Sequence, residues 1–238
     1  MKSIRNVSAI LLAGGHGTRM NRKTPKQYLK LRGKEIATYS LECFSTVAAI
    51  NEIVVVCHDE YIPIFNKIVP EMNLTFAQPG KRRQDSVYNG FKALKHTENV
   101  ICIHDTARPF INKQSIDEVI NAAVEYGAAA LAVPMKCTVK QTDSHGFVTN
   151  TPNRSQLWEV QTPQVLTSEL LDRGFTLANQ RKVTVTDDVS LAELSGAPVK
   201  LVMGEYNNIK ITTEEDLAIA EKIIEQFIGV PELQNIGG

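Results

Sequence analysis

Val7-Ser8-Ala9-Ile10-Leu11-Leu12, followed at once by Ala13-Gly14-Gly15-His16-Gly17-Thr18-Arg19, is the stretch that sets the architecture of this chain. A short, mostly aliphatic run with little polar alternation is how a strand covered on both faces reads. Glycines directly after it let backbone N–H groups approach a phosphate with no Cβ in the way. Runs of the same kind recur at 53–57, 100–103, 128–133 and 199–202. Segments with helical spacing lie between them. Ala37, Leu41, Phe44 and Ala48 form one stripe, and Ile116, Ile120 and Val124 a second. Leu217, Ala220, Ile224 and Phe227 form a third, opened by Thr213 with Asp216 three residues on, a capping-box pattern. Strand alternating with helix predicts a mostly parallel sheet joined by right-handed crossovers, hence a three-layer α/β sandwich of Rossmann-like type in a single domain, 1–238. Ligands in such sheets bind beyond the carboxyl ends of the strands, so the chemistry is expected in the loops that follow them.

Charge narrows the function classes. Lys and Arg together number 26, as do Asp and Glu, so the chain is formally neutral over 238 residues. That excludes a general nucleic-acid binder, which needs surplus cations facing phosphates, but not a local basic pocket for a small anion. No apolar run approaches the ~20 residues of a bilayer span, so no membrane association is expected. Lys2 and Arg5 ahead of the first run imitate a signal peptide, but the run is short and leads into a Gly/Arg loop, which favours a buried strand. Cys43, Cys57, Cys102 and Cys137 lie far apart without zinc spacing and read as reduced thiols of a cytoplasmic protein.

One region departs from the rhythm. Residues 138–142 and 147–151 flank Asp143-Ser144-His145-Gly146, a turn composition, and predict a β-hairpin. A lone two-stranded ribbon is marginal and needs something to dock on. It reads either as an arm for a partner subunit, over 137–156, or as an edge hairpin.

Three loops carry candidate chemistry. The first runs from Gly14 through Arg19 to Pro25-Lys26-Gln27. Met20 stands where a dinucleotide fingerprint needs its third glycine, and the G-K-[ST] of a Walker loop is missing. Two cations, Arg19 and Lys26, beside glycine-exposed amides suit a triphosphate instead. The second, Gly80-Lys81-Arg82-Arg83-Gln84-Asp85-Ser86-Val87, reads by composition as a solvated helix start with Asp85 or Ser86 near the cap. Its functional reading has backbone and hydroxyl groups framing a nucleobase. The third, His104-Asp105-Thr106-Ala107-Arg108-Pro109, follows a buried strand, where a carboxylate and a guanidinium are costly unless used or paired. His104 reads as a hydrogen-bonding scaffold, not a general base. Lys210, between Ile209 and Ile211 in an extended run, points away from its apolar neighbours. Trp158, between Leu157 and Val160, reads as core packing. No Ser/His/Asp or Cys/His arrangement has supporting surroundings.

In order along residues 10–224, L-A-G-G-H-G-T-R-M, P-K-Q-Y-L, R-Q-D-S-V, H-D-T-A-R-P, L-W-E-V-Q-T-P-Q, T-D-D and N-I-K-I-T-T-E-E-D-L resemble the 2-C-methyl-D-erythritol 4-phosphate cytidylyltransferase family. The glycine loop alone fits any sugar nucleotidyltransferase; the ordered set is far more specific. The resemblance implies a nucleotidyltransferase fold of GT-A-like type and attack of a substrate phosphate on the α-phosphorus of CTP. It implies Arg19, Lys26 and Lys210 as catalytic cations around that phosphorus. Ala13, Gly14, Gly15, Gly17, Ser86, Asp105 and Thr106 would line the nucleotide. Asp105, Arg108, Thr138, Arg154 and Thr162 would hold 2-C-methyl-D-erythritol 4-phosphate. Thr138 and Arg154 would reach in from the partner of a homodimer. Mg²⁺ would be held mainly by the CTP phosphates, with Asp105 as the one candidate side-chain ligand. Cys137 stands where many relatives have Asp, and Lys81 where some carry an acid. Ribitol-5-phosphate cytidylyltransferase shares the loop, H-D-x-x-R-P and Q-T-P-Q; Arg154, Leu157, Trp158 and Thr138-Val139-Lys140 favour the methylerythritol enzyme. The remaining alternatives are a non-catalytic nucleotide-binding protein, which would lack the cations, and a glycosyltransferase, which would want a D-x-D motif.

Overall fold

The computed structural model describes residues 7–15, 24–72, 74–95 and 100–228. In chain order its strands are β1 (Val7–Leu12), β2 (Lys30–Leu31), β3 (Lys34–Glu35), β4 (Ile50–Val56), β5 (Thr75–Ala77) and β6 (Val100–Asp105). These are followed by β7 (Ala128–Pro134), β8 (Gln141–Thr142), β9 (Val148–Asn150), β10 (Trp158–Thr167) and β11 (Lys200–Met203). The α-helices are α1 (Ile36–Ser45), α2 (Ile62–Ile68), α3 (Arg83–Ala93), α4 (Lys113–Tyr126), α5 (Ser168–Arg181), α6 (Ser190–Leu194) and α7 (Glu214–Ile228).

Seven strands form one sheet in the order β11-β7-β10-β6-β1-β4-β5. All run parallel except β10, which lies antiparallel between β6 and β7. Side chains alternate across β1: Val7, Ala9 and Leu11 pack with α1, α2 and α4, whereas Ile10 packs on the other face with α3, α5 and α6. The predicted sandwich is therefore the observed one, and all five predicted strand runs are strands of this sheet.

Several elements differ from the reading. β10 lies outside the predicted strand runs, because Gln161-Thr162-Pro163-Gln164 is polar and contains proline, which removes a ladder donor. Its register shifts between Val160 and Gln164. The second helical stripe is Ile116, Val119, Ile120 and Ala123, while Val124 is 46% exposed. Ala48 lies past the end of α1, and the side chain of Phe227 lies outside those described. Trp158 is half-buried and belongs to neither large core cluster, so the core reading fails there. The segment around Lys210 is not a strand; it is held by Ile211 N–H donating to Ala107 O at 2.8 Å.

The hairpin is present but shorter than read, with ladder pairing confined to β8 and β9. Asp143 Oδ1 accepts from the N–H groups of His145 and Phe147, both at 2.9 Å, and Gly146 takes φ +85°, closing the turn. Phe147 and Val148 are 73% and 57% exposed. Cys57 and Cys102 are buried, Cys43 partly so, and Cys137 is exposed; all four are free thiols.

Candidate active site

At the carboxyl ends of β1 and β6 a cavity of about 350 Å³ opens, lined by Gly14, Gly15, Lys26, Gly80, Arg83, Ser86, Asp105 and Lys210 among others. Four separate stretches of sequence meet here, as the strand-end rule for open α/β sheets requires. The glycine loop is fastened from behind. Gln27 Nε2 donates to Ala13 O at 2.7 Å and to Gly15 O at 2.8 Å, and Tyr28 OH donates to Ala13 O at 2.8 Å. Lys26 is carried on that same turn. A Cβ on Gly14 would sit 2.3 Å from Pro79 Cβ, so only glycine lets the two loops approach. Gly17 and Arg19 lie outside the described residues.

The second loop takes both of its readings at once. Arg82 is the N-cap of α3, and Asp85 Oδ2 accepts from its N–H at 3.0 Å, completing a capping box. Ser86 lines the cavity while its Oγ accepts from Gly80 N–H at 3.0 Å. Arg83, which sequence reasoning did not single out, projects into the cavity wall. Its Nε donates to Asp105 Oδ1 at 3.0 Å, and its Nη1 and Nη2 donate to the two oxygens of Asp188, both at 2.7 Å. Lys210 Nζ donates to the other Asp105 oxygen, Oδ2. Burial alone would raise the Asp105 pKa, but the charges of Arg83, Lys210 and Arg108 outweigh it and hold the carboxyl well below its ordinary range. Burial dominates at Asp188, whose pKa is raised despite Arg83. The ion pairs of Asp105 are with Arg83 and Lys210, so the alternative of a structural Asp105–Arg108 pair is not what the loop forms.

His104 is fully buried. Its Nε2 lies 3.1 Å from Arg108 O, which can only accept, so the ring proton sits on Nε2. Nδ1 then accepts from the Thr162 hydroxyl at 3.1 Å, and Thr162 Oγ1 itself accepts from Asp105 N–H at 3.1 Å. Burial lowers the His104 pKa to about 4, so the ring is neutral and braces the loop. The hydroxyl of Thr162 is thus engaged beneath the site. The Thr106 hydroxyl is likewise engaged, donating to Leu12 O at 2.9 Å.

Arg108 lines a second, adjoining cavity of about 330 Å³ that shares Lys210 and Thr212 with the first. Its Nη1 donates to Asn208 O at 2.7 Å, and its buried Nε has no hydrogen-bond partner. Burial lowers its pKa. Thr138 and Arg154 are exposed at the arm and line neither cavity; Arg154 Nη1 donates to Lys136 O at 2.8 Å. Among the described residues no group of three or more His, Cys, Asp or Glu converges on a metal position, and Asp105 is the one carboxylate in the lining of the first cavity. None of their helices is long and apolar enough to cross a membrane.

Charge complementarity could have flagged the missed pair. The Lys81-Arg82-Arg83 run follows β5 and the Asp187-Asp188 pair lies between α5 and α6, so their opposite charges, not their places in the element order, were the available signal.

Residues 7–226 match the family model described as IspD, 2-C-methyl-D-erythritol 4-phosphate cytidylyltransferase. The chain is 44% identical over 224 residues to a chloroplastic 2-C-methyl-D-erythritol 4-phosphate cytidylyltransferase of Oryza sativa subsp. japonica, covering 93% of this chain and 75% of that one. It is 41% identical over 237 residues to the enzyme of that name from Pelotomaculum thermopropionicum, covering 98% and 99%. The crystal structure of 4-diphosphocytidyl-2C-methyl-D-erythritol synthase from Anaerococcus prevotii superposes with a TM-score of 0.83 at 31% identity, covering 93% and 97%.

Proposed function

The chain belongs to the 2-C-methyl-D-erythritol 4-phosphate cytidylyltransferase family, and we propose from that premise how its own residues carry out the transfer. It joins 2-C-methyl-D-erythritol 4-phosphate to CTP, giving 4-diphosphocytidyl-2-C-methyl-D-erythritol and pyrophosphate. A phosphate oxygen of the acceptor attacks the α-phosphorus in line, and the bond from that phosphorus to the bridging α–β oxygen breaks. The nucleophile is already anionic, so no proton is abstracted and no general base is needed. The cost lies in bringing anions together and in charge growing on the equatorial oxygens.

One observation carries this reading: Lys26 and Lys210, 184 positions apart in sequence, line one cavity with the glycine loop. Lys26, Lys210 and Arg19 serve as the cations around the α-phosphate. Ala13, Gly14, Gly15, Gly17 and Ser86 frame the nucleotide, with Asp105 and Thr106 holding the strand end beneath it. Arg108 from the adjoining cavity and Asp105 from the first hold the acceptor, braced by Thr162. Magnesium would be bound mainly through the CTP phosphates and would neutralise triphosphate charge; Asp105, the one carboxylate lining the first cavity, has its two oxygens engaged by Arg83 and Lys210.

The exposed apolar arm supports a homodimer in which Thr138 and Arg154 serve the site of the second copy. The free thiols support a reducing compartment, the cytoplasm. The test supplies purified protein with CTP, Mg²⁺ and either 2-C-methyl-D-erythritol 4-phosphate or ribitol 5-phosphate, and measures pyrophosphate release. Turnover with the methylerythritol acceptor is expected; faster turnover with ribitol phosphate would overturn the assignment.

A further inference from the structure

Asp188 plays no part in the reaction as described, yet it is only 2% exposed, where an unpaired carboxylate is costly. Both its oxygens accept from Arg83 at 2.7 Å. Its backbone N–H donates to Gln164 Oε1 at 2.7 Å, and Gln164 Nε2 donates to Gln161 O at 3.1 Å, so the acid is tied to the central strand β10. Arg83, at the first position of α3, reaches from that anchor to Asp105 Oδ1 at 3.0 Å. Asp105 then presents its remaining oxygen to Lys210.

We propose that Asp188 and Arg83 are a positioning pair for the nucleotidyl transfer: Asp188 aims the guanidinium, which fixes Asp105 so that its second oxygen holds Lys210 in place. The inference rests on the functional reading above. Its physics is that of a planar fork against a flexible stem. Arg83 makes a bidentate contact of defined direction, whereas lysine alone is a point charge on four rotatable carbons. Each of the three guanidinium nitrogens faces a carboxylate, which assigns Arg83 to the protein's own acids and not to the triphosphate. Two acids and two cations leave the quartet neutral, so no buried charge is unmatched. Misplacing a reacting group by about 1 Å costs on the order of 10²-fold in rate, so a displaced Lys210 should appear in kcat.

Asp188→Asn keeps the shape and removes the aiming charge. Its kcat should fall on the order of 10–10²-fold while KM for CTP stays within about twofold. Arg83→Lys, which keeps the charge but loses the fork, should not restore the rate. Arg83→Gln with Asp188→Asn removes both charges together, so it leaves neither buried alone. It should fold, by circular dichroism, with a kcat no lower than that of the worse single variant. A folded Asp188→Asn with wild-type kcat overturns the inference, as does full activity in Arg83→Lys. A loss confined to KM for CTP also overturns it, because Arg83 would then grip the triphosphate itself. Wild-type enzyme is run alongside. Its failure to turn over would overturn the functional reading and this inference together, whereas an active wild type with an equally active Asp188→Asn overturns this inference alone.

Discussion

Lys210 and His104 sit within one network but answer to different measurements. Replacing Lys210 with Gln removes a cation from the cavity proposed to hold the reacting phosphates, and kcat should fall on the order of 10²–10³-fold in a pyrophosphate-release assay. His104 should leave its mark on stability. Its pKa drops from 6.5 to about 4 on folding. The folded state therefore binds fewer protons than the unfolded chain within that window. The associated stability is present above pH 6.5 and is lost as pH falls toward 4, by about 3 kcal/mol in all. Urea unfolding from pH 7 to 4.5 should show that slope, and His104→Asn should flatten it. The H-D-T-A-R-P loop was legible because a buried acid at a strand end stands out locally. Arg83 and Asp188 were not, because each has a bland local explanation and they meet only in three dimensions, 105 positions apart.

Elements were legible where apolar runs were continuous and opaque where a central strand is polar. In β10 the polar side chains are consumed by hydrogen bonds: Gln161 Nε2 donates to Glu205 O at 2.8 Å, and Gln164 Oε1 accepts from the N–H groups of Asp188 and Val189. No periodicity reveals that use. The capping box that the sequence predicts at the start of α7 is present: Asp216 N–H donates to Thr213 Oγ1 at 3.3 Å and Asp216 Oδ2 accepts from Thr213 N–H at 2.9 Å. Asp216 Oδ2 also accepts from Thr212 N–H at 2.8 Å, fixing the segment that bears Lys210. Asp216→Ala should cost about 1 kcal/mol by thermal unfolding and lower kcat as well. In α3, a Cβ on Gly90 would meet Ile10 Cγ2 at 2.6 Å and Val56 Cγ2 at 2.9 Å. Gly90→Ala should therefore lower the unfolding midpoint, with an overpacking cost of about 1–3 kcal/mol outweighing the gain in helix propensity.

At the scale of the molecule, the sandwich followed from strand–helix alternation, whereas the arm's destination did not, because a ribbon paired only with itself carries no address. On the proposed homodimer, replacing residues 141–150 with a short Gly-Ser turn should shift the mass by light scattering from dimer to monomer. Turnover should fall with it, since Thr138 and Arg154 would lose their hold on a second copy.

The lining of the cavity at the ends of β1 and β6 bears on chemical intervention. Most ligand pockets are walled chiefly by hydrocarbon, with a few polar anchors. Lysine and arginine side chains, an aspartate and bare glycine backbone make up much of this one. An uncharged inhibitor would have to strip water from those ions and part Lys210 from Asp105 without offering a replacement charge. Competitive blockers are therefore driven toward phosphate mimics, whose negative charge hinders passage through lipid.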